Sequence, residues 1–167
     1  FNNNVLVSGS STIESDRVTA ASAGVTHTLG TLSIGAQTLT VNAGSNVTSA
    51  TAGVTFGATT LTGAATLSPG ANALLTVGTV DGASQTLTVN GSGSITFSGA
   101  VGSGGRLGAV NITNAKDVTE TAGITAASLV QSAGTGTTLI SGPVNANTIT
   151  GVQIATNNII TASGCTI

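Results

Sequence analysis

Short segments of the chain alternate apolar and polar residues. The segment TLTV at 38–41 and its copy at 86–89 place leucine and valine at every second position, with threonine between them. Side chains of a β-strand point alternately to opposite faces, so these segments predict strands with one apolar and one polar face. Glycine, asparagine and serine separate the segments, as is typical of turns. The pattern therefore predicts an all-β chain.

The alternating segments recur along the chain. The hexapeptide QTLTVN at 37–42 returns at 85–90, a shift of 48, and the copy extends without a gap from His27 laid over Leu75. A weaker copy, TLTG at 60–63, lies between them, and AVNITN at 109–114 follows. Leu39, Leu61, Leu87 and Val110 then fall at steps of 22, 26 and 23. The repeating unit is therefore roughly 20–26 residues, within the range of solenoid repeats, and the shift of 48 is two units.

A repeat of this length, combined with alternation of period two, is typical of a solenoid in which each unit forms one coil. One coil cannot bury its own apolar side chains, but stacked coils bury them in parallel ladders about 4.8 Å apart. We therefore predict a parallel β-helix (β-solenoid) with roughly 20–26 residues per coil and about seven coils. It forms one domain over residues 1–167, with residues 1–24 as an N-terminal cap and residues 25–167 as stacked coils. The predicted inward core ladder consists of Leu39, Val41, Leu61, Leu87, Val89, Val110 and Ile112.

The composition agrees with a thin core and restricts the partners. Aromatic residues make up 2% of the chain and charged residues 5%, with a mean hydropathy of +0.43. Three basic residues and a net charge of −2 cannot form the positive surface that nucleic acid requires. No apolar run approaches the roughly 18 residues of a membrane helix, so we expect no membrane insertion. The apolar C-terminal segment NNIITASGCTI predicts an end that stacks on a second copy or continues into a longer protein.

The stretch from Thr86 to Gly164, with phrases such as GSGSITFSGAVGSGG and AVNITNAKDVTETAGIT, resembles the repeats of large bacterial exoproteins. These are the filamentous-haemagglutinin-like adhesins and the β-strand-repeat autotransporter passengers. The resemblance implies a right-handed parallel β-helix that is secreted to the extracellular space or the bacterial cell surface. It also implies a role in adhesion, in biofilm or in envelope structure, with host or matrix glycans as partners. The secretion and anchoring modules of those proteins, and an RGD-type motif, are not found in this sequence.

The ionisable residues do not predict a catalytic site. Polysaccharide-acting β-helices use clustered carboxylates, and the pairs to consider here are Glu14 with Asp16 and Asp117 with Glu120. We interpret both pairs as solvated turn or cap residues, and Asp81 before Gly82 as ordinary turn chemistry. We therefore expect no enzyme activity, and a polysaccharide-binding or polysaccharide-processing role remains an alternative.

The chain has one histidine and one cysteine, which are candidates for a metal ligand and for a covalent link. His27 is the only histidine, and its alternation with Val25 and Leu29 predicts a half-buried coil residue rather than a metal ligand. Cys165 is the only cysteine, which excludes an internal disulfide. It is predicted to be a small buried residue of the last coil, with an intersubunit thiol link as the alternative. No metal or other cofactor is expected.

Threonine pairs offer a second functional hypothesis. The pairs Thr38 with Thr40, Thr60 with Thr62, and Thr86 with Thr88 would stack on the outer face of three successive coils. Flat threonine arrays of this kind resemble the ice-binding faces of solenoid antifreeze proteins. Outward threonine is also a good strand former without any ligand. The sequence thus favours a structural, non-enzymatic module of an adhesin or extracellular fibre, and ice binding is the alternative.

Overall fold

The computed structural model describes residues 1–167, which form 21 β-strands and no helix. The strands are β1 (Val5–Val7), β2 (Ser11–Ser15), β3 (Ser22–Ala23), β4 (Thr26–Thr28), β5 (Leu32–Ile34), β6 (Thr38–Ala43), β7 (Val47–Ser49), β8 (Ala52–Phe56), β9 (Thr59–Leu61), β10 (Ala65–Pro69), β11 (Ala73–Val77), β12 (Val80–Asp81), β13 (Leu87–Asn90), β14 (Ser94–Phe97), β15 (Leu107–Asn114), β16 (Val118–Glu120), β17 (Ile124–Gln131), β18 (Thr137–Ile140), β19 (Val144–Ala146), β20 (Val152–Ile154) and β21 (Asn158–Thr161). The predicted all-β class is confirmed.

The strands wind into a parallel β-solenoid, as predicted. Each strand pairs in parallel with the equivalent strand of the next turn, and the stack has about seven turns of roughly 23 residues. Three faces result. Face 1 consists of β1, β5, β9, β12, the start of β17 and β19; face 2 consists of β2, β6, β10, β13, β15, the end of β17 and β20; face 3 consists of β4, β8, β11, β14, β16, β18 and β21.

The first turns are longer than the sequence predicts, and the last turns are short. The hydroxyl of Ser10 accepts from the N–H of Thr38 one turn above, at a sequence separation of 28, whereas Asn158 lies over Thr137 at a separation of 21. The additional residues belong to two loops between faces 2 and 3, and these loops pair with each other through β3 and β7. The third turn has no such strand. Residues 1–24 therefore supply faces 1 and 2 of the first turn together with part of this lateral projection, and β4 completes the turn.

Pairing in register stacks equivalent side chains into columns. On face 3, Phe56, Val77 and Phe97 lie directly above one another and point inward. Similar columns from the other faces complete a core of 29 buried apolar residues. Full burial of such side chains contributes about 1.5–3 kcal/mol each, so the thin core is sufficient when it is repeated in every turn.

All seven residues predicted to point inward are buried: Leu39, Val41, Leu61, Leu87, Val89, Val110 and Ile112. The prediction that Leu39, Leu61 and Leu87 hold equivalent positions in successive coils was wrong. Leu61 lies on face 1 beside Ile34. Leu87 is level with Ala65 and Val110, and not with Leu39. Alternation within a strand is a local property, whereas the level of a residue depends on the length of every corner before it.

On face 3 the separation between equivalent residues two turns apart equals the sequence repeat. On face 2 it is two residues longer. His27 and Leu75 both pair with the same residue of β8, so the shift of 48 spans two turns there. On face 2, Leu39 and Val89 both pair with the same residue of β10, although the sequence repeat lays Leu39 over Leu87. The corner before β13 accounts for the slip, and Ser84 adopts a φ of 64° in it. A shift of two keeps every side chain on its own face, which is why the alternation still identified the core.

One inward column contains a polar residue without a partner. Thr59 is 2% exposed between Leu32 and Val80, and its hydroxyl makes no hydrogen bond. Replacement by valine keeps the branched shape and removes the buried unsatisfied group. We expect Thr59→Val to stabilise the protein by about 1 kcal/mol, measured as a higher midpoint of urea unfolding.

The control is Thr138→Val. The Thr138 hydroxyl is also buried, but it donates to Oε1 of Gln131 at 2.7 Å. Removing it leaves the glutamine oxygen without its partner, so this variant should lose about 1–2 kcal/mol. A lower midpoint for Thr59→Val than for the wild type would contradict the explanation.

Candidate functional site

Four of the five carboxylates accept hydrogen bonds from the backbone of the following turn. Asp16 accepts from the N–H of Asn46 at 3.1 Å. Asp81 accepts from Gly104 at 2.7 Å, and Asp117 accepts from Thr137 at 2.9 Å. Glu120 accepts from Gly142 at 2.9 Å. These acids thus join one turn to the next at the corners of the solenoid.

Glu120 is the most deeply placed of them. It is 1% exposed and occupies the inward column above Phe97 and below Ile140. One carboxylate oxygen accepts from the N–H groups of Ala122 and Gly123, and the other accepts from Ser141 and Gly142. Gly123 has a φ of 108°, which favours glycine. Hydrogen bonds from these four N–H groups replace the hydration that the carboxylate loses on burial.

The two acidic pairs considered from the sequence are not assembled as catalytic pairs. Asp117 precedes the inward Val118 and points outward, whereas Glu120 points into the core. The interpretation of Glu120 as a solvated residue was therefore wrong. Glu14 is exposed on face 2, and Asp16 lies in a cleft that Glu14 does not line. No group of three histidine, cysteine, aspartate or glutamate side chains is arranged to hold a metal ion.

His27 lies at the first turn, half-buried, at the end of the inward column that continues with Val54. With Asp16 and Arg17 it lines a cleft of about 320 Å³ formed by the segment between β2 and β4. The remaining lining residues are Val18, Thr19, Ser22 and Val25. This cleft brings three of the chain's ionisable side chains together at the surface.

The threonine array predicted from the sequence is divided between two faces. Thr38 stacks with Thr66 and Thr88 on face 2. Thr60 lies on face 1, between Ser33 and Asp81, and Thr62 follows it. The prediction that the Thr60–Thr62 pair stacks over the Thr38–Thr40 pair was therefore wrong, because TLTG at 60–63 is not the copy of TLTV at 38–41. Thr40 stacks with Thr12 and Ser68, and Thr86 precedes β13 at the corner.

The longest threonine column lies on face 3 and was missed. It consists of Thr28, Thr55, Thr76, Thr96 and Thr119, which pair in register through five successive turns. None of their hydroxyls makes a hydrogen bond within the protein, whereas the nearby hydroxyls of Ser98 and Thr121 donate to backbone carbonyls. The signal in the sequence was GVTF at 53–56 and SITF at 94–97, in which threonine separates two inward residues.

The C-terminal end holds a second cavity of about 520 Å³, lined in part by Val144, Val152 and Ile167. Cys165 is half-buried there and packs against the end of the core with a free thiol. The backbone ladder extends into this tail, because the N–H of Val144 donates to the carbonyl of Thr166 at 2.8 Å. The inter-turn ladder of face 1 thus includes Thr166.

Comparison with protein families, with curated proteins and with solved structures finds no match. The structure also has no helix of the length and apolar character needed to cross a membrane.

The buried carboxylate gives a direct test of the inter-turn hydrogen bonds. Glu120→Gln replaces one acceptor oxygen by an NH₂ group that faces backbone donors. We expect a loss of about 2–4 kcal/mol in the free energy of unfolding, measured by urea denaturation. The matched control is Glu14→Gln on the exposed surface, which should change the stability by less than about 0.5 kcal/mol. Equal midpoints for the two variants would contradict the assigned role of Glu120.

Proposed function

We propose that this chain is a structural, non-enzymatic rod segment of a bacterial surface adhesin or extracellular fibre. Its role is to hold a defined length through stacked turns. We further propose that it is exported and acts at the cell surface or in the extracellular matrix, where glycans are available as partners. These assignments rest on the resemblance of residues 86–164 to bacterial exoprotein repeats, combined with the rod geometry.

The observation that supports the proposal best is the uninterrupted inter-turn ladder. On face 1, the N–H of Val5 donates to the carbonyl of Thr31, and the equivalent bond recurs in each turn up to Val144 and Thr166. The backbone groups on the outer edges of the first and last turns have no further turn to pair with. Unpaired strand edges are templates for additional strands, so the rod can be extended at both ends.

The core also reaches the C-terminal end without a polar cover. Ile159 is in the inward column above Thr138 and is 49% exposed, because no turn lies over it. At the opposite end, Val5 and Ile13 are half-buried members of the same core. The occupant that matches both ends is another solenoid turn, supplied by a second copy or by a longer polypeptide.

End-to-end assembly can be tested with two adjacent isoleucines. Ile159 points into the core at the open end, whereas Ile160 points outward on face 3 and is 45% exposed. Ile159→Lys places a charge where the next turn would stack, so we expect the concentration needed for association to rise at least about tenfold. Ile160→Lys adds the same charge outside the ladder and should change it by less than about twofold.

The measurements are sedimentation velocity over a concentration series and negative-stain electron microscopy. Filaments of the wild type should show an axial repeat of about 34 Å, which is seven turns at ~4.8 Å. Wild-type rods that remain monomeric at high concentration, or two variants with equal effects, would contradict self-assembly.

Ice binding is a second candidate function, supported by the threonine column on face 3. Five threonines at one strand spacing present a straight row of hydroxyl and methyl groups about 19 Å long. Their hydroxyls have no partners in the protein, so they bond to surface water. A rigid row with a regular period can hold that water in lattice-like positions, as an ice-binding surface requires.

Bulky substitutions test this candidate. The triple variant Thr55→Tyr, Thr76→Tyr and Thr96→Tyr should lose most of the thermal hysteresis of the wild type, because the rings cover the row. Thr38→Tyr, Thr66→Tyr and Thr88→Tyr make the same changes on face 2 and should retain it. Tyrosine is well tolerated in strands, so both variants should fold. Absence of thermal hysteresis in the wild type, or equal loss in both variants, would exclude ice binding by face 3.

A further inference from the structure

The cleft at the first turn concentrates ionisable groups in a chain that has very few. The whole chain has three basic residues, five acidic residues and one histidine. Arg17, Asp16 and His27 line this single cleft, together with Thr19 and Ser22. Elsewhere, Arg106 is engaged in the stack, where it donates to the carbonyls of Ala126 and Asn145. The cleft is thus chemically unlike the rest of the surface.

The loop that forms the cleft is held in place by the second turn. Asp16 accepts from the N–H of Asn46 with one oxygen and from its Nδ2 with the other, at 3.1 and 3.2 Å. Nδ2 of Asn46 also donates to the carbonyl of Arg17 at 2.6 Å. Pairing of β3 with β7 fixes the far side of the loop. A loop held in this way loses little conformational freedom when a ligand binds.

The same hydrogen bonds leave donors facing the cleft. Nε of Arg17 donates to the carbonyl of Ala23 at 3.1 Å, and the Nη groups make no hydrogen bond within the protein. A guanidinium carries five N–H donors, so four remain for a ligand. The imidazole of His27 also has no partner in the protein, whereas both oxygens of Asp16 are occupied by the backbone and Asn46. The cleft therefore offers donors and requires an acceptor-rich ligand.

The size of the cleft and the residues that line it restrict the chemical class of its ligand. A volume of about 320 Å³ is near the lower limit for ligand sites, which run from about 300 to 1,000 Å³. Ser22 donates to the carbonyl of Thr19, and its oxygen is free to accept from a ligand hydroxyl. Val18 and Val25 add apolar surface. Arginine forms paired hydrogen bonds with a carboxylate through its planar fork.

We propose that this cleft binds the carboxylate of an acidic sugar residue, such as a uronic acid unit of a polysaccharide. The carboxylate lies against the Nη groups of Arg17, with His27 as a further donor. The hydroxyls of the sugar lie toward Thr19 and Ser22, and the apolar side of the ring lies against the valines. The site lies in the first turn, where His27 ends an inward column, so it is open on a free rod and a turn stacked on that end would cover His27.

Glucuronate is the probe for the test. Titration of the ¹⁵N-labelled full chain with sodium glucuronate, followed by NMR, should give saturable shifts confined to residues 16–27 and 46–49. A single monosaccharide in a shallow site should bind with a Kd on the order of 1 mM. Glucose, which has no carboxylate, and acetate, which has no ring, should each bind at least about tenfold more weakly.

The variant Arg17→Gln should weaken glucuronate binding at least about tenfold. Its control is Lys116→Gln, which removes the same charge from an exposed position far along the chain and should leave the affinity unchanged. Equal unfolding midpoints and unchanged spectra outside the loop will establish that both variants are folded.

Glucuronate shifts that are absent, or equal effects of the two variants, would overturn the proposal. Acetate or inorganic phosphate binding as tightly as glucuronate would also overturn it, because the site would then recognise an anion and not a sugar acid. Each titration is made at a concentration at which sedimentation velocity shows monomers, so filament formation does not affect any of these outcomes.

Discussion

The backbone ladder between successive turns is the interaction on which the rest of the structure depends. Each bond of the type that joins Val5 to Thr31 also fixes the level of the side chains beside it. An inward residue therefore contacts its counterparts above and below, and its surroundings differ little from turn to turn. This repetition allows small and branched side chains to form a continuous core with very few aromatic residues.

The position of the acidic residues follows from the same constraint. The ladder is regular along the faces and interrupted at the corners, where backbone N–H groups of the next turn lack strand partners. A buried N–H without an acceptor is costly, and a carboxylate one turn below satisfies it. Glu120 with Gly142 and Asp117 with Thr137 illustrate this arrangement. A chain with few charges thus uses most of its acids to join turns, which leaves few for chemistry at the surface.

The same distinction between faces and corners explains what the sequence could predict. Strand alternation is local, so the inward residues and the parallel solenoid were accessible from the pattern and the period. No short sequence pattern indicates how many residues a corner contains. The corner before β13 is longer than its counterpart two turns earlier, so Leu87 does not lie at the level of Leu39. Glu120 was misplaced because acids are expected outside, and only its four backbone donors explain its burial. The Arg17–His27 cleft depends on loops whose pairing across two turns has no signature in the sequence.

Regular and irregular turns consequently support different kinds of surface. Turns of nearly equal length bring identical positions into line, and Thr55, Thr76 and Thr96 form a straight row because the turns from β8 to β14 differ so little in length. Such a row suits a partner that is itself periodic. The longer first turns break this regularity, and the additional residues must leave the stack sideways because the ladder fixes both ends of the loop. A loop that projects sideways creates a concave surface beside it, and a discrete ligand needs a concave surface. The solenoid therefore carries both an extended repetitive surface and a localised cleft at its first turn without any change in its core.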